Sequence, residues 1–588
     1  MSGLLSQLSW QLLLFVLIFL IWTTILIYLD KRKILKKYNM DRIWFVALMW
    51  RTKKGRGLID KIASWKKFWL RVSTGGFVLF FTGMLFMFIL VVLSAYVAST
   101  SPLVKPVGAS EVLVLPGINP YVPFIYGIIG LIIAVVAHEF SHGIIARVMN
   151  FKVKALGLLF ILIPMGAFME PDEEEVEKGP RIARMRMFSA GPVMNFLLAF
   201  IFIGLFSGVM MNSVSASGDP LIITDVSTDS PFHLSMEDHP KALYSINGGD
   251  ISSYIDLYEY GEVEPGKWVY CDMKMDGGRY RVPMISGIMI TGVGKDTPAD
   301  DAGLREGSII YSIDGIVVNS SREFSDIMEE TSVQQVISLI LMVPSFKNND
   351  EIILNRSIPD DVLNDNEFYP ELDTYQDINS IPYYTVSTYN VTLDDKYDYY
   401  NLKEYKGRGY IGITSSYMGI SGVGSDEFLN TLKHPILSGN GFRGKLGNLV
   451  YITFRLPLEL EKMPFHDPLT DIYEVRGPLS IIPDSAFWFI TNTIFYTFWL
   501  NILLGLFNAL PMVPLDGGFV FRDTMVLVIK KITGFFDKVS PDRKIKFIKN
   551  KSEENLEKIA KNISVTASIL VLLMILLSIL GPRIQLLF

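Results

Sequence analysis

The stretch "IIAVVAHEFSHGIIARVMN", residues Ile132–Asn150, places two histidines and a glutamate inside an otherwise apolar run. A carboxylate at the centre of a membrane helix costs about 2.5–3.5 kcal/mol on insertion scales. Ionisable residues at such positions usually pair with one another or serve a function. His138, Glu139 and His142 therefore predict a functional site within a membrane-spanning helix.

The three residues fit the pattern H-E-x-x-H, which can bind a metal ion from one face of a helix. Residues four apart share a face, so His138 and His142 can present ring nitrogens to a single ion. Zinc is the usual ion for imidazole ligands at this spacing. Glu139 lies about 100° around the helix from His138, where it can activate a water molecule without binding the ion. The alternative is a pair of packed, hydrogen-bonded histidines, which would leave three ionisable groups in the membrane without a function.

Half of the 588 residues are hydrophobic, and several apolar runs are long enough to cross a bilayer. The sequence therefore predicts a multi-pass α-helical membrane protein. About six transmembrane helices are predicted, at Leu12–Leu29, Gly75–Ala98, Phe124–Ala146, Met187–Met210, Ala486–Leu510 and Ile563–Leu580. A shorter apolar run, Val153–Phe168, contains Pro164 and Gly166 and favours a re-entrant or interfacial element.

Basic residues set the expected orientation, because cytoplasmic loops of membrane proteins are enriched in lysine and arginine. The loop from Lys31 to Arg71 and the stretch from Lys530 to Lys551 are both basic and are expected in the cytoplasm. Six spans then place both termini and the acidic segment 212–484 outside, with the active site toward the cytoplasmic half of the bilayer. We expect an integral protein of a prokaryotic cell membrane, whose N-terminal apolar run is a retained helix rather than a signal peptide.

The outer segment contains an internal repeat. "ITDVSTDSP" (Ile223–Pro231) and "ITGVGKDTP" (Ile290–Pro298) are 67 residues apart, as are "LYSINGG" (Leu243–Gly249) and "IYSIDGI" (Ile310–Ile316). Two matching blocks at one spacing predict two related β-rich modules. The stretch "SGIMITGVGKDTPADDAGLREG", from Ser286, resembles a PDZ domain of the protease-associated type. We therefore expect tandem PDZ-like modules in an extracytoplasmic β-rich region.

A catalytic zinc site usually has three protein ligands, so two histidines leave it one ligand short. The chain has a single cysteine, Cys271, which excludes an internal disulfide and disfavours a cysteine-based metal site. The stretch "NALPMVPLDGGFVF", Asn508–Phe521, places Asp516 where two prolines end a helix near membrane depth. Such an aspartate lines a polar cavity or binds an ion, unless it caps a turn at the cytoplasmic interface. Asp516 is therefore the candidate third ligand.

Together these motifs resemble those of the site-2 protease family of intramembrane zinc metalloproteases. Two further stretches match family elements, namely "FSAGPVMNF" (Phe188–Phe196) and "RGPLSI" (Arg476–Ile481). The four blocks occur in the order expected for the family and span residues 124–520.

The resemblance implies roles for individual residues. One zinc ion per chain would be bound by His138, His142 and Asp516, with Glu139 as the catalytic base. The run "LLFILIPMGAFMEPDEEE", which follows His142, matches a membrane-associated β-element that can pair with an unwound substrate.

The resemblance also suggests residues that contact the substrate. Asn195 and Asn508 lie in family motifs and are expected to line the active site, where an amide can donate to an oxyanion. Hydrogen bonding between helices is an equally open interpretation of both. The PDZ-like modules either capture a terminus left by a prior-acting protease or exclude substrates with bulky outer domains, and we favour exclusion. The predicted peptide-binding loop consists of Gly287, Ile288, Met289 and Ile290.

The expected function is hydrolysis of peptide bonds within transmembrane segments of single-span membrane proteins, with the lipid bilayer as a further partner. No nucleic-acid partner is expected. One alternative is a zinc-binding, catalytically silent membrane scaffold that recruits partners through its PDZ-like modules. A zinc transporter is disfavoured because the sequence shows no second set of intramembrane ligands.

These motifs divide the chain into seven segments. Residues 346–469 contain no readable motif, and the segment 346–484 is expected to form an extracytoplasmic insertion beside the modules. The segments are 1–123 (two N-terminal transmembrane helices and a basic cytoplasmic loop), 124–212 (first part of the catalytic membrane core), 213–285 (first PDZ-like module), 286–345 (second PDZ-like module), 346–484 (insertion), 485–520 (second part of the core) and 521–588 (basic cytoplasmic loop and last transmembrane helix).

Overall fold

A computed structural model describes residues 10–43, 46–52, 55–100, 116–117, 119, 121–161, 163–227, 242–275, 278–345, 373–374, 383–435, 447, 450, 453, 469–539 and 553–585. The chain divides into two compact units. The first consists of Met1–Leu205 and Thr493–Phe588, and the second of Phe206–Asn492.

The long helices form most of the first unit, and several short ones lie in the second. In chain order, the α-helices of the described residues are α1 (Trp10–Lys31), α2 (Ile34–Lys37), α3 (Arg56–Ala63), α4 (Lys66–Thr100), α5 (Phe124–Val148), α6 (Glu173–Lys178), α7 (Arg181–Leu205), α8 (Tyr254–Glu259), α9 (Pro298–Asp301), α10 (Ser321–Glu329), α11 (Lys396–Tyr400), α12 (Ser425–Lys433), α13 (Asp484–Ala509), α14 (Asp516–Val539) and α15 (Glu553–Gln585).

The strands are concentrated in the second unit. In chain order they are β1 (Met40–Ile43), β2 (Ala47–Thr52), β3 (Val153–Ile161), β4 (Ile163–Pro171), β5 (Val214–Ala216), β6 (Leu221–Val226), β7 (Ala242–Ile246), β8 (Gly249–Asp250), β9 (Trp268–Met275), β10 (Gly278–Ile285), β11 (Ile288–Val293), β12 (Ile309–Ile313), β13 (Ile316–Val317), β14 (Val336–Ser345), β15 (Asp373–Thr374), β16 (Tyr383–Thr392), β17 (Asp394–Asp395), β18 (Gly409–Tyr410), β19 (Ile413–Tyr417), β20 (Ile420–Gly424) and β21 (Tyr473–Val475).

Within the described residues, five helical segments are long and apolar enough to cross a membrane. They are Lys66–Thr100, Phe124–Val148, Arg181–Ser213, Asp484–Ala509 and Asn555–Pro582. These segments coincide with the second to sixth predicted spans, and the first predicted span falls in the 22-residue helix α1. The chain is thus a membrane protein with a β-rich region, and the number of spans remains a prediction.

Glycines let the helices of the first unit approach one another closely. A methyl group added at Gly130 of α5 would lie 3.1 Å from the carbonyl oxygen of Tyr496 in α13. A methyl at Gly83 of α4 would overlap the ring of Phe196 in α7. Small residues at such crossings are typical of membrane helix packing. They bring together helices that carry the sequence motifs identified above.

Helix α14 extends well beyond the sequence motif that introduces it. We expected a basic loop from residue 521, but the helix runs from Asp516 to Val539 and packs against α7 and α15. Charged residues such as Arg522 and Asp523 hid this helix, because they interrupt the apolar pattern that identifies a membrane span.

A small antiparallel sheet in the first unit has the strand order β1-β2-β3-β4. β3 and β4 form a hairpin across the apolar run that was expected to be re-entrant or interfacial. β1 and β2 come from the basic loop after α1, where no strands were predicted. β4 ends the sheet and pairs only with β3, so its outer edge has no strand partner among the described residues.

Two larger sheets make up most of the second unit. One has the order β15-β10-β9-β7-β6-β20, with β8 paired to β7. The other has the order β16-β14-β12-β11-β19, with β13 paired to β12. Both sheets contribute to one buried cluster that includes Leu243, Ile290, Leu339 and Tyr417. Burying such a side chain fully contributes about 1.5–3 kcal/mol.

The internal repeat is present in the backbone. The first blocks of the two copies begin in β6 and β11, and the second blocks begin in β7 and β12. Residues 228–231 of the first copy lie outside the described residues. Each second block continues into a turn with positive φ at both central residues, Asn247-Gly248 in one copy and Asp314-Gly315 in the other. Such turns join two antiparallel strands, here β7 with β8 and β12 with β13. The two repeats therefore share this strand–turn–strand unit, and their assignment as related PDZ-like modules remains a prediction.

We expected the segment 346–484 to be an insertion that lies beside the modules. Instead, its strands are part of the two large sheets. β16 pairs with β14, β19 with β11, and β20 with β6. Each of the two large sheets therefore needs strands from beyond residue 346. These pairings join residues far apart in the sequence, so no local pattern could reveal them.

The predicted peptide-binding loop is not available for strand addition. Ile288, Met289 and Ile290 lie in β11, whose two edges pair with β12 and β19. All three are at most 1% exposed. Gly287, just before them, has a φ of 128° and its carbonyl oxygen accepts from the Met418 amide. Our assignment of this loop was wrong, because the run "IMI" is a buried central strand.

Candidate metal centre

The three predicted metal ligands converge at one point in the first unit. His138 and His142 lie one turn apart on α5, and Asp516 is the first residue of α14. The Asp516 Oδ2 atom lies 3.0 Å from His138 Nε2 and 3.2 Å from His142 Nε2. Both histidines are buried, at 5% and 7% exposed. Residues at least 374 positions apart in the chain thus meet at one point.

This arrangement fits a zinc ion. A ring nitrogen of His138, a ring nitrogen of His142 and a carboxylate oxygen of Asp516 all lie within 4.8 Å of one another. Zinc binds imidazole nitrogen and carboxylate oxygen at about 2.0–2.2 Å, so the ligand atoms of a tetrahedral site lie about 3.3 Å apart. The observed distances from Asp516 Oδ2 to the two Nε2 atoms are close to that value. Three protein ligands would leave the fourth position open, as in catalytic sites.

The outer nitrogens of both imidazole rings have partners. His142 Nδ1 lies 2.7 Å from the carbonyl oxygen of Met187, so it donates a proton there and leaves the Nε2 lone pair for an ion. His138 Nδ1 lies 3.2 Å from Asn195 Nδ2. Asn195 Oδ1 is buried without a hydrogen-bond partner among the described residues. Rotating this amide by 180° exchanges its two ends, and Oδ1 would then accept from Nδ1–H.

Asn195 therefore supports a ligand. It is fully buried and contacts the side of the His138 ring away from Asp516. Asn508 instead lines the cavity, and its Nδ2 donates to the Leu504 carbonyl one turn earlier in α13. Of the two predicted lining residues, the structure places only Asn508 on the cavity wall.

Glu139 faces the same cavity and is held by the sheet. Its Oε2 accepts a hydrogen bond of 3.0 Å from the Met169 amide of β4. Since that amide donates to Glu139, it points away from β3 and toward the open edge of the sheet. The cavity has a volume of about 310 Å³ and is lined by Val135, His138, Glu139, His142, Met169, Pro171, Met187, Phe188, Leu504, Asn508, Pro514 and Asp516.

A model of peptidase family M50 matches residues 126–536, which is more than half of the chain and includes all of these residues. The chain belongs to peptidase family M50. This confirms the site-2 protease family expected from the motifs, and it supports a metallopeptidase.

Two curated proteins illustrate the relatives of this M50 chain. An uncharacterized protein of Methanocaldococcus jannaschii is 30% identical over 219 residues, which are 37% of this chain and 56% of that protein. The serine protease HTRA1 of Xenopus laevis is 53% identical over 53 residues, which are 9% of this chain and 12% of that protein. The chain thus spans about half the length of the first relative and a small part of the second.

Gly191 is a residue of the M50 site that our sequence reasoning missed. It lies in α7 within "FSAGPVMNF", and a methyl group there would overlap the Nε2 atoms of both His138 and His142. Only a residue without a side chain leaves room for the imidazoles to meet Asp516. The sequence signal was the glycine itself, which is unfavourable inside a helix and so suggests a packing role.

Replacing Gly191 with alanine is expected to weaken zinc binding by about 10- to 100-fold, the range seen when the surroundings of metal ligands are altered. The affinity can be measured by competition with a chromogenic chelator in detergent. Gly204→Ala is the matched control, because it lies on the same helix and an added methyl meets no atom within 4 Å. Equal zinc affinities of the two variants would contradict the steric role of Gly191.

A buried ion pair joins the two helices of the M50 core that flank this site. The Arg184 guanidinium of α7 donates to both oxygens of Asp523 in α14, at 3.0 and 2.6 Å, and also to the Glu177 carbonyl at 2.7 Å. The exposed fractions of Arg184 and Asp523 are 8% and 2%. Asp523 follows Asp516 by about two helical turns. The pair therefore fixes the position of the helix whose first residue is the candidate third ligand.

Proposed function

We propose that this protein is an intramembrane zinc metallopeptidase that hydrolyses peptide bonds within transmembrane segments of other membrane proteins. The observation that carries the proposal is the meeting of His138, His142, Asp516 and Glu139 around one cavity. His138, Glu139 and His142 lie on a candidate membrane span. Membership of peptidase family M50 supports the metallopeptidase class.

The residues of the cavity divide the chemistry between them. His138, His142 and Asp516 would hold the zinc ion, which would polarise the scissile carbonyl and activate a water molecule. Glu139 would accept the proton of the attacking water and then deliver it to the leaving amine. The Met169 amide holds the Glu139 carboxylate at the cavity wall, so the base needs no reorganisation before it acts.

The open edge of β4 offers a means of presenting the substrate. A transmembrane helix satisfies its own backbone hydrogen bonds, so its peptide bonds must be exposed by local unwinding before hydrolysis. An unwound segment can pair with the open edge of β4, beside Glu139, by strand addition. This arrangement suits single-span substrates, and helix-breaking residues in the substrate would ease the unwinding.

The charge pattern of the sequence indicates how the protein is oriented in the membrane. We place the enzyme in a prokaryotic cell membrane, with its termini and β-rich unit outside the cytoplasm and the site toward the cytoplasmic half of the bilayer. The PDZ-like modules would exclude substrates with bulky outer domains, and a prior-acting protease would trim such domains first. These assignments rest on the sequence.

The proposal is tested by incubating the purified protein in detergent with a panel of single-span substrates. We expect cleavage within the spans, complete loss of cleavage after chelation, and recovery when zinc is added back. Elemental analysis of the active sample should give one zinc ion per chain. Undiminished cleavage by the metal-free protein would refute the proposed chemistry, and a zinc-loaded protein that cleaves no member of the panel would favour the scaffold alternative.

A further inference from the structure

A second surface of the first unit combines exposed apolar residues with basic ones. The short helix α3 is strongly amphipathic: Ile59 and Ala63 are buried, whereas Leu58 is 54% exposed. Its buried face packs on Ile144 and Val148 of α5, the helix that carries the two histidines. α3 therefore lies on the membrane core and keeps one face free.

The junction between α3 and α4, which directly follows α3 in the chain, carries large exposed aromatic side chains. Trp65 is 69% exposed and Phe68 is 51% exposed. Lys61, Lys66 and Lys67 are exposed next to them in the chain. Tryptophan and other aromatic residues accumulate where hydrocarbon meets headgroups, and lysines at that level contact anionic headgroups. The surface thus has the composition of a membrane interface.

A cavity of about 600 Å³ adjoins α3 and is rich in cationic groups. Four of its lining side chains are basic and two are acidic. Three ion pairs partly neutralise it: Arg147 with Asp60 at 2.5 Å, Lys154 with Asp172 at 3.4 Å, and Lys152 with Glu175 at 2.6 Å. Arg56 has no ion-pair partner among the described residues. The lining residues are Arg56, Gly57, Ile59, Asp60, Arg147, Lys152, Val153, Lys154 and Asp172.

We propose that this cavity binds the phosphate headgroup of an anionic membrane lipid. The Arg56 guanidinium can bind a phosphate through two parallel hydrogen bonds, with Lys154 beside it. Leu58, Trp65 and Phe68 would contact the acyl chains, which a free phosphate does not have. Charge complementarity and the neighbouring apolar surface therefore both select a lipid. The inference goes beyond peptide-bond hydrolysis and needs neither bound metal nor cleavage.

The test compares lipids retained by the full-length protein, using native mass spectrometry from detergent. We expect phosphatidylglycerol to be retained in preference to phosphatidylcholine. A juxtamembrane basic residue contributes about 1 kcal/mol near an anionic surface, which corresponds to about fivefold in affinity. The double variant Arg56→Gln, Lys154→Gln should therefore bind phosphatidylglycerol about 25-fold more weakly, with unchanged thermal unfolding in phosphatidylcholine nanodiscs.

The matched control removes the same amount of charge outside the cavity. Lys178 has a side chain that is 75% exposed, and Lys561 is also exposed, so we use the double variant Lys178→Gln, Lys561→Gln. It should retain phosphatidylglycerol like the unmodified protein. Equal losses in the two double variants, or equal retention of the two lipids by the unmodified protein, would overturn the proposal. Competition by glycerol 3-phosphate as strong as that by short-chain phosphatidylglycerol would identify a site for a free anion and would likewise overturn it.

Discussion

Replacing Glu139 with glutamine is expected to lower the rate of peptide-bond hydrolysis by about 10²- to 10⁴-fold, the usual contribution of a general acid–base group. Glutamine has nearly the same shape but cannot accept the proton of the attacking water. Its amide oxygen can still accept the hydrogen bond from the Met169 amide. The variant should therefore keep its fold and its zinc, because the ligands His138, His142 and Asp516 are untouched.

The measurement combines single-turnover cleavage of a transmembrane substrate with elemental analysis of the same sample. Glu174→Gln is the control, since its side chain is 76% exposed and lies outside the cavity. That variant should cleave at the unmodified rate. If Glu139→Gln cleaved as fast as Glu174→Gln, the assignment of the base would be wrong. If it lost its zinc together with its activity, Glu139 would be acting on the metal site and not as a base alone.

Replacing Asp523 with asparagine is expected to reduce the free energy of unfolding by about 3–5 kcal/mol. The substitution leaves the buried Arg184 guanidinium without a counter-charge. Because Asp523 lies on the helix that begins at Asp516, we also expect weaker zinc binding by the protein that remains folded. Stability can be followed by denaturant unfolding in mixed micelles, and zinc affinity by chelator competition.

Helix α7 provides a matched control for this ion pair. Arg181 also pairs with a carboxylate, Glu557 of α15, at 2.7 Å, but Glu557 is about half exposed and α15 carries none of the candidate metal ligands. Glu557→Gln should change stability by less than about 1 kcal/mol and leave zinc affinity unchanged.

A double substitution separates charge burial from packing. The variant Arg184→Met, Asp523→Leu removes both charges and should regain much of the stability lost in Asp523→Asn. If Asp523→Asn were as stable as Glu557→Gln, the buried pair would not fix α14. If the double variant regained stability but not zinc affinity, the pair would be needed for the position of Asp516 and not merely for folding.

Local sequence patterns identified the three residues, His138, His142 and Asp516, that the structure brings together. The spacing of His138 and His142 follows directly from helix geometry, and an aspartate after two prolines at membrane depth has few other roles. Steric constraints were harder to predict. Gly191 matters because two side chains from another helix occupy the space beside it, and that space exists only after the helices pack.

The fold was predictable where a single physical property dominates. Spans follow from apolar length, and all five candidate spans had been expected from the sequence. The hairpin of β1 and β2 was missed because the basic residues around it indicated only a cytoplasmic loop. The pairing of the strands after residue 383 could not be predicted because their partners lie as far as 203 positions away, as in the pairing of Gly424 with Leu221. Pairing at that distance leaves no periodic signal in either segment.

The turn between β19 and β20 limits how the β-rich unit can be divided into smaller fragments. Its two residues, Met418 and Gly419, both have positive φ, and they connect a strand of one large sheet directly to a strand of the other. Neither repeat can therefore be excised at its sequence boundary without losing the late strand, β20 for the first repeat or β19 for the second, that pairs with it. Loss of one should expose backbone that invites aggregation or digestion of both. During synthesis, neither sheet can be completed until β19 and β20 have been made. We therefore expect the two sheets to fold as one cooperative unit.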